Sequence, residues 1–90
     1  MKIKFHTNIL NDLINTKEIG APDDSTLKQL FQNLIQEHGE AVRGRIFEND
    51  KLRPEVLVLL NGKSIGSLDD PDIILRNDDF LAVITTIVGG

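Results

Sequence analysis

Ninety residues, 40% of them apolar, suffice for one small hydrophobic core, so the chain is expected to fold alone as a single unit. Fourteen Asp and Glu against ten Lys and Arg give a net charge of −4, which argues against nucleic acid or an anionic membrane surface as a direct partner. The lack of cysteine excludes a disulfide framework, a thiolate nucleophile and a thiolate zinc site.

The opening MKIKFHTN carries charge with no apolar run behind it, and no stretch is long enough to span a bilayer, so a soluble cytoplasmic domain is expected. Ile3 and Phe5 alternate with Lys2, Lys4 and His6, the period of a strand with one buried face. A short second strand is expected around Ile19, before the turn residues Gly20 to Asp24. Leu27, Leu30, Phe31, Leu34 and Ile35 then recur at the spacing of an amphipathic helix. Asp24, Ser25 or Thr26 can cap its start, Thr26 standing at capping-box distance from Gln29, and Gly39 suits the position just past its end.

Residues 40–55 read as irregular connection with one short turn, closed by Arg53-Pro54. Val56 to Leu60 is apolar on both parities, as an interior strand should be, and Asn61-Gly62 signals a two-residue hairpin into Lys63-Ser64-Ile65. A polar segment through Asp72 leads to a further strand at Ile73-Ile74-Leu75. Asn77-Asp78-Asp79 turns into the last strand, Phe80 to Ile87. This order predicts an α+β domain, one main helix packed across a small mixed sheet, with the first and last strands parallel at its centre. On the last strand Leu81 and Val83 take one parity and Phe80, Ala82 and Ile84 the other, so one apolar set faces away from the helix. His6, Phe80, Ala82 and Ile84 are therefore the expected partner-binding surface, since an uncovered apolar patch commonly marks an interface.

The sequence ends Val88-Gly89-Gly90, and two glycines weaken a strand where they stand. Residues 1–87 are expected to form the domain and 88–90 a flexible tail. Together with the run Arg53 to Asn61 (RPEVLVLLN) and the stretch Thr85 to Gly90 (TTIVGG), this order of elements resembles the β-grasp, ubiquitin-like sulfur carriers and modifiers. That family includes the ubiquitin-related modifier, the archaeal small modifiers, the thiamine sulfur carrier and the small subunit of molybdopterin synthase. The molybdopterin branch usually has two prolines where Thr85 and Thr86 stand here.

The resemblance implies that the chain is not an enzyme but the substrate of one. An E1-like adenylating enzyme, using ATP and Mg, would activate the carboxylate of Gly90, after which sulfur gives a thiocarboxylate and a lysine amine gives an isopeptide bond. Val88, Gly89 and Gly90 would thread into that enzyme, and the uncovered sheet face would dock on it. The partners implied are the adenylating enzyme and, downstream, a tRNA thiolase, the large subunit of molybdopterin synthase, or lysine-bearing target proteins. No cofactor or metal is expected on the chain itself. A binding module that uses its sheet face alone is the competing reading; an independent enzyme finds no triad, metal cluster or phosphate loop in its support. His6 and His38 lack metal-ligand spacing, the aspartates from Asp69 to Asp79 lack calcium-loop offsets, and Lys51 and Lys63 are ordinary exposed lysines.

Overall fold

The computed structural model describes residues 1–70 and 72–85. In chain order its elements are β1 (Lys2–Thr7), β2 (Glu18–Gly20), α1 (Leu27–His38), α2 (Glu40–Ile46), β3 (Phe47–Glu48), β4 (Lys51–Leu52), β5 (Val56–Leu60), β6 (Lys63–Ser64) and β7 (Phe80–Thr85). Five strands make a mixed sheet in the order β2-β1-β7-β5-β6. β7 is the middle strand, parallel to β1 and antiparallel to β5, as the sequence predicts. This is the ubiquitin-like α+β architecture, with α1 packed on one face of the sheet.

The predicted stripe on α1 is the core. Leu27, Leu30, Phe31 and Leu34 are buried, and they meet Ile3 and Phe5 of β1, Val58 of β5, and Leu81 and Val83 of β7. Each fully buried side chain of this size contributes about 1.5–3 kcal/mol relative to exposure, so α1 is held chiefly by its face and not by helix propensity. Its start is the predicted capping box: the Gln29 N–H donates to Thr26 Oγ1 at 3.2 Å, and the Thr26 N–H donates to Gln29 Oε1 at 2.9 Å. Gly39 ends it at a φ of 98°, a conformation that disfavours any residue with a Cβ.

Three expectations need correction. The segment expected to be irregular carries α2, whose Val42 and Ile46 lie four residues apart and are fully buried. Two apolar positions are too few to stand out as a helical period, but Glu40 and Arg43 add an ion pair of 2.8 Å across one turn. Next comes a hairpin, β3–β4, with Glu48 opposite Lys51 across the two-residue turn Asn49-Asp50. Both turn residues have positive φ, 52° and 64°, which Asn and Asp tolerate better than most residues. Phe47 of this hairpin packs edge-on against Phe31, ring centroids 6.1 Å apart.

The strand expected at Ile73–Leu75 reduces to a single bridge between Ile74 and Thr26, supported by the Leu75 N–H donating to the Ser25 carbonyl at 2.8 Å. Pairing stops there because Thr26 is the cap of α1 and its chain turns into the helix. The last strand is described to Thr85; Thr86 and Ile87 lie outside the described residues. The turn between β5 and β6 is as predicted, Asn61 and Gly62 both having positive φ between the paired residues Leu60 and Lys63.

One ion pair ties the loop after β1 to α2. Arg45 grips both carboxylate oxygens of Asp12 and also donates to the Ile9 carbonyl at 3.1 Å. The hydrogen bonds from the guanidinium hold the Asp12 carboxyl below its usual range, and the carboxylate raises Arg45 in return. No helix among the described residues is long and apolar enough to cross a membrane.

Candidate functional site: the outward face of the sheet and the end of its middle strand

Alternation along a strand divides β7 between two environments. Leu81 and Val83 point into the core and are fully buried, whereas Phe80 is 43% exposed and Ile84 half-buried on the opposite face. The register fixes their neighbours there. Ala82 stands beside His6 of β1 and Leu59 of β5, Ile84 beside Leu57, and Phe80 beside Lys4. The four residues predicted as a docking surface therefore do share one face.

Their roles on it are unequal. Ala82 is only 7% exposed, because a methyl group between two flanking strands is overshadowed by its cross-strand neighbours; it is the floor of the patch and not a contact. Phe80 is the prominent apolar side chain, with Ile84 further along the strand and exposed His6 on the flank. Sequence reasoning missed Leu57 and Leu59. Both are half-buried and, by register, lie on this same outward face. Their signal was in the run Val56 to Leu60, apolar on both parities: with a helix on only one face, half of that run has to point outward.

Two asparagines fix the ends of β7. At its start the Phe80 N–H donates to Asn61 Oδ1 at 2.9 Å while the Asn61 N–H donates to the Phe80 carbonyl at 2.8 Å. Asn61 Nδ2 also donates to Asp79 at 3.0 Å, which braces the turn beneath Phe80. At its far end the Thr85 N–H donates to Asn8 Oδ1 at 2.8 Å, and Asn8 Nδ2 donates to the Thr85 carbonyl at 3.4 Å. Asn61 was read from sequence only as a hairpin turn and Asn8 was not singled out, since each also acts on a strand distant along the chain. Val88, Gly89 and Gly90, predicted to thread into a partner, lie outside the described residues.

The candidate site is thus an apolar, mostly aliphatic surface on the middle strand of the sheet, and Gly89-Gly90 follow that strand in the sequence. No group of three or more His, Asp or Glu side chains among the described residues could hold a metal ion.

Comparison with known proteins agrees with this geometry. The family model described as the ThiS family matches residues 8–90. Small archaeal modifier protein 3 of Haloferax volcanii is 31% identical over 68 residues, which cover 76% of this chain and 73% of that protein. The crystal structure of SAMP1 from Haloferax volcanii superposes over the whole of both chains with a TM-score of 0.74 at 20% identity, a likeness of fold. The solution structure of the Haloferax volcanii HVO 2177 protein has a TM-score of 0.72 at 26% identity, over 100% of this chain and 87% of that one. A match through nearly the whole chain, on a sheet with β7 at its centre, means that this protein belongs to the ThiS family of ubiquitin-like β-grasp sulfur carriers and modifiers.

Proposed function

We propose that the protein carries sulfur on the carboxylate of Gly90. The observation that carries this reading is the family match running through Gly89 and Gly90, the segment fed by the middle strand of the sheet. A free carboxylate is a poor electrophile, because its charge repels nucleophiles and an oxide ion does not leave. In the proposed reaction the Gly90 carboxylate attacks the α-phosphorus of ATP, pyrophosphate departs, and a mixed anhydride with AMP remains. Magnesium held by the adenylating enzyme neutralises the phosphate charge. Sulfide, as HS−, then adds to the acyl carbon, AMP leaves with the electron pair of the broken C–O bond, and loss of the sulfur-bound proton gives the thiocarboxylate.

The residue types suit that chemistry. Glycine has no Cβ and accepts any backbone conformation, so Gly89 and Gly90 can pass through a channel too narrow for side chains, and Val88 precedes them into it. Ordering such a segment costs roughly 1–2 kcal/mol per residue. Docking of Phe80, Ile84, Leu57 and Leu59, with His6 on the flank and Ala82 beneath, offsets that cost by removing apolar surface from water. The adenylating enzyme is the proposed partner of this face, and the sulfur acceptor, a tRNA thiolase or the large subunit of molybdopterin synthase, is proposed to use it in turn.

Conjugation of Gly90 to lysines of other proteins is the second reading, favoured by the relative at 31% identity, which is named a modifier protein. Both readings share the adenylate and differ in the nucleophile. Incubation of the purified chain with its adenylating enzyme and ATP tests the shared step: pyrophosphate release that vanishes on deletion of Gly90 is expected. Equal release from the wild type and the deletion would leave the sheet-face binding module as the better account.

A further inference from the structure

The described part of β7 ends at Thr85, and there a side chain substitutes for a strand. The parallel register of β1 against β7 runs to Thr7 opposite Val83 and goes no further. The Thr7 hydroxyl next accepts the Ile9 and Leu10 N–H groups at 3.3 and 3.1 Å, which turns the backbone away from the sheet and sends Leu10 into the core. Past that point the Asn8 amide reaches across to Thr85, accepting from its N–H at 2.8 Å and donating to its carbonyl at 3.4 Å. A primary amide presents one acceptor and a donor as a peptide group does, so this side chain adds one more rung to the ladder after the backbone has left. On the other flank Thr85 pairs with Val56 of β5.

We infer that Asn8 is a positioning residue for the activation proposed at Gly90: its amide fixes Thr85 as the root from which the carboxyl-terminal segment reaches into the adenylating enzyme. The inference rests on the carrier reading above. Five residues, 86–90, follow Thr85 in the sequence, and a chain of that length spans at most about 18 Å at 3.3–3.6 Å per residue. The root stands on the same strand as Phe80 and Ile84, so docking of the outward face and delivery of the carboxylate share one strand. Loss of the Asn8 hydrogen bonds loosens the hold on Thr85 and adds to the ordering needed at every encounter, which weakens productive binding without altering the reacting groups.

The chemistry is specific to an amide of this length. Alanine removes both hydrogen bonds. Aspartate keeps an acceptor for the Thr85 N–H but sets a second carboxylate oxygen against the Thr85 carbonyl, where the amide had a donor.

The test is steady-state kinetics of ATP–pyrophosphate exchange by the adenylating enzyme with the full-length chain as varied substrate. Wild type, Asn8→Ala and Asn8→Asp are compared with Ile46→Val, which loosens the core on α2, and amide hydrogen exchange is followed at Thr85. Asn8→Asp, which loses one of the two hydrogen bonds, is expected to raise KM about fivefold and Asn8→Ala, which loses both, at least as much, each with kcat unchanged and faster exchange at Thr85. Ile46→Val should leave KM where it was, which separates positioning from general loss of stability. An Asn8→Ala chain with the wild-type KM, or a lower one, overturns the inference while the carrier reading stands. A wild-type chain that supports no exchange at all overturns the carrier reading itself, and the role of Asn8 falls with it.

Discussion

The six residues Phe80–Thr85 of β7 alternate between two faces in different surroundings. Toward the helix, Leu81 and Val83 lie among Ile3, Phe5, Leu30 and Phe31 and see no water. Toward solvent, Phe80 is exposed and Ile84, Leu57 and Leu59 are half-buried, and together they form an apolar surface. A core face is explained by the fold it stabilises; an outward apolar face on the central strand costs solubility and stabilises little. On the function proposed above, hydrophobicity on this strand serves two ends, folding on one side and recognition on the other.

Substitutions on the two faces should therefore separate cleanly. The largest effect belongs to the core: Leu81→Ala is expected to cost about 2–5 kcal/mol and to lower Tm by on the order of 10–20 °C in a thermal melt. Across the strand, Phe80→Ala should leave stability within about 0.5 kcal/mol and weaken binding to the adenylating enzyme about tenfold, measured by titration calorimetry. If Phe80→Ala instead unfolds the domain, or binds as wild type, the division of labour is wrong. Thr26→Ala removes the capping box of α1, on the core side, and should cost about 1 kcal/mol by chemical denaturation with no change in partner binding.

The smallest effect concerns Asp12, which lies on neither face. Its carboxyl titrates lower in the folded chain than in the unfolded one, so the contribution of its pair with Arg45 is intact above the ordinary value of 3.8 and fades as pH falls through the folded value. Asp12→Asn should accordingly narrow the gap in Tm between neutral and acid solution by a small amount, the pair lying at the surface, and should leave partner binding unchanged.

Much of this was legible in the sequence because the signals were local or strictly periodic. The stripe on α1, the Thr26–Gln29 box, the Asn61-Gly62 turn and the parity of Phe80 to Ile84 each need only a short window. What escaped depended on distant partners. Helix α2 is specified by two buried residues, Val42 and Ile46, whose burial is decided by the core they meet. The β3–β4 turn uses Asn49-Asp50, without the glycine that marks such turns most clearly. Ile73 to Leu75 has the composition of a strand but finds a helix cap beside it. Asn8 looks like any polar residue after a strand until Thr85, far along the chain, arrives at its amide.

The central claim, that Gly90 carries sulfur, is tested most directly by intact-mass measurement of the chain after incubation with its adenylating enzyme, ATP and a sulfur donor. The account predicts replacement of one carboxylate oxygen by sulfur, dependent on ATP and lost when Gly90 is deleted. An unchanged mass under conditions in which the enzyme consumes ATP on this chain would contradict it.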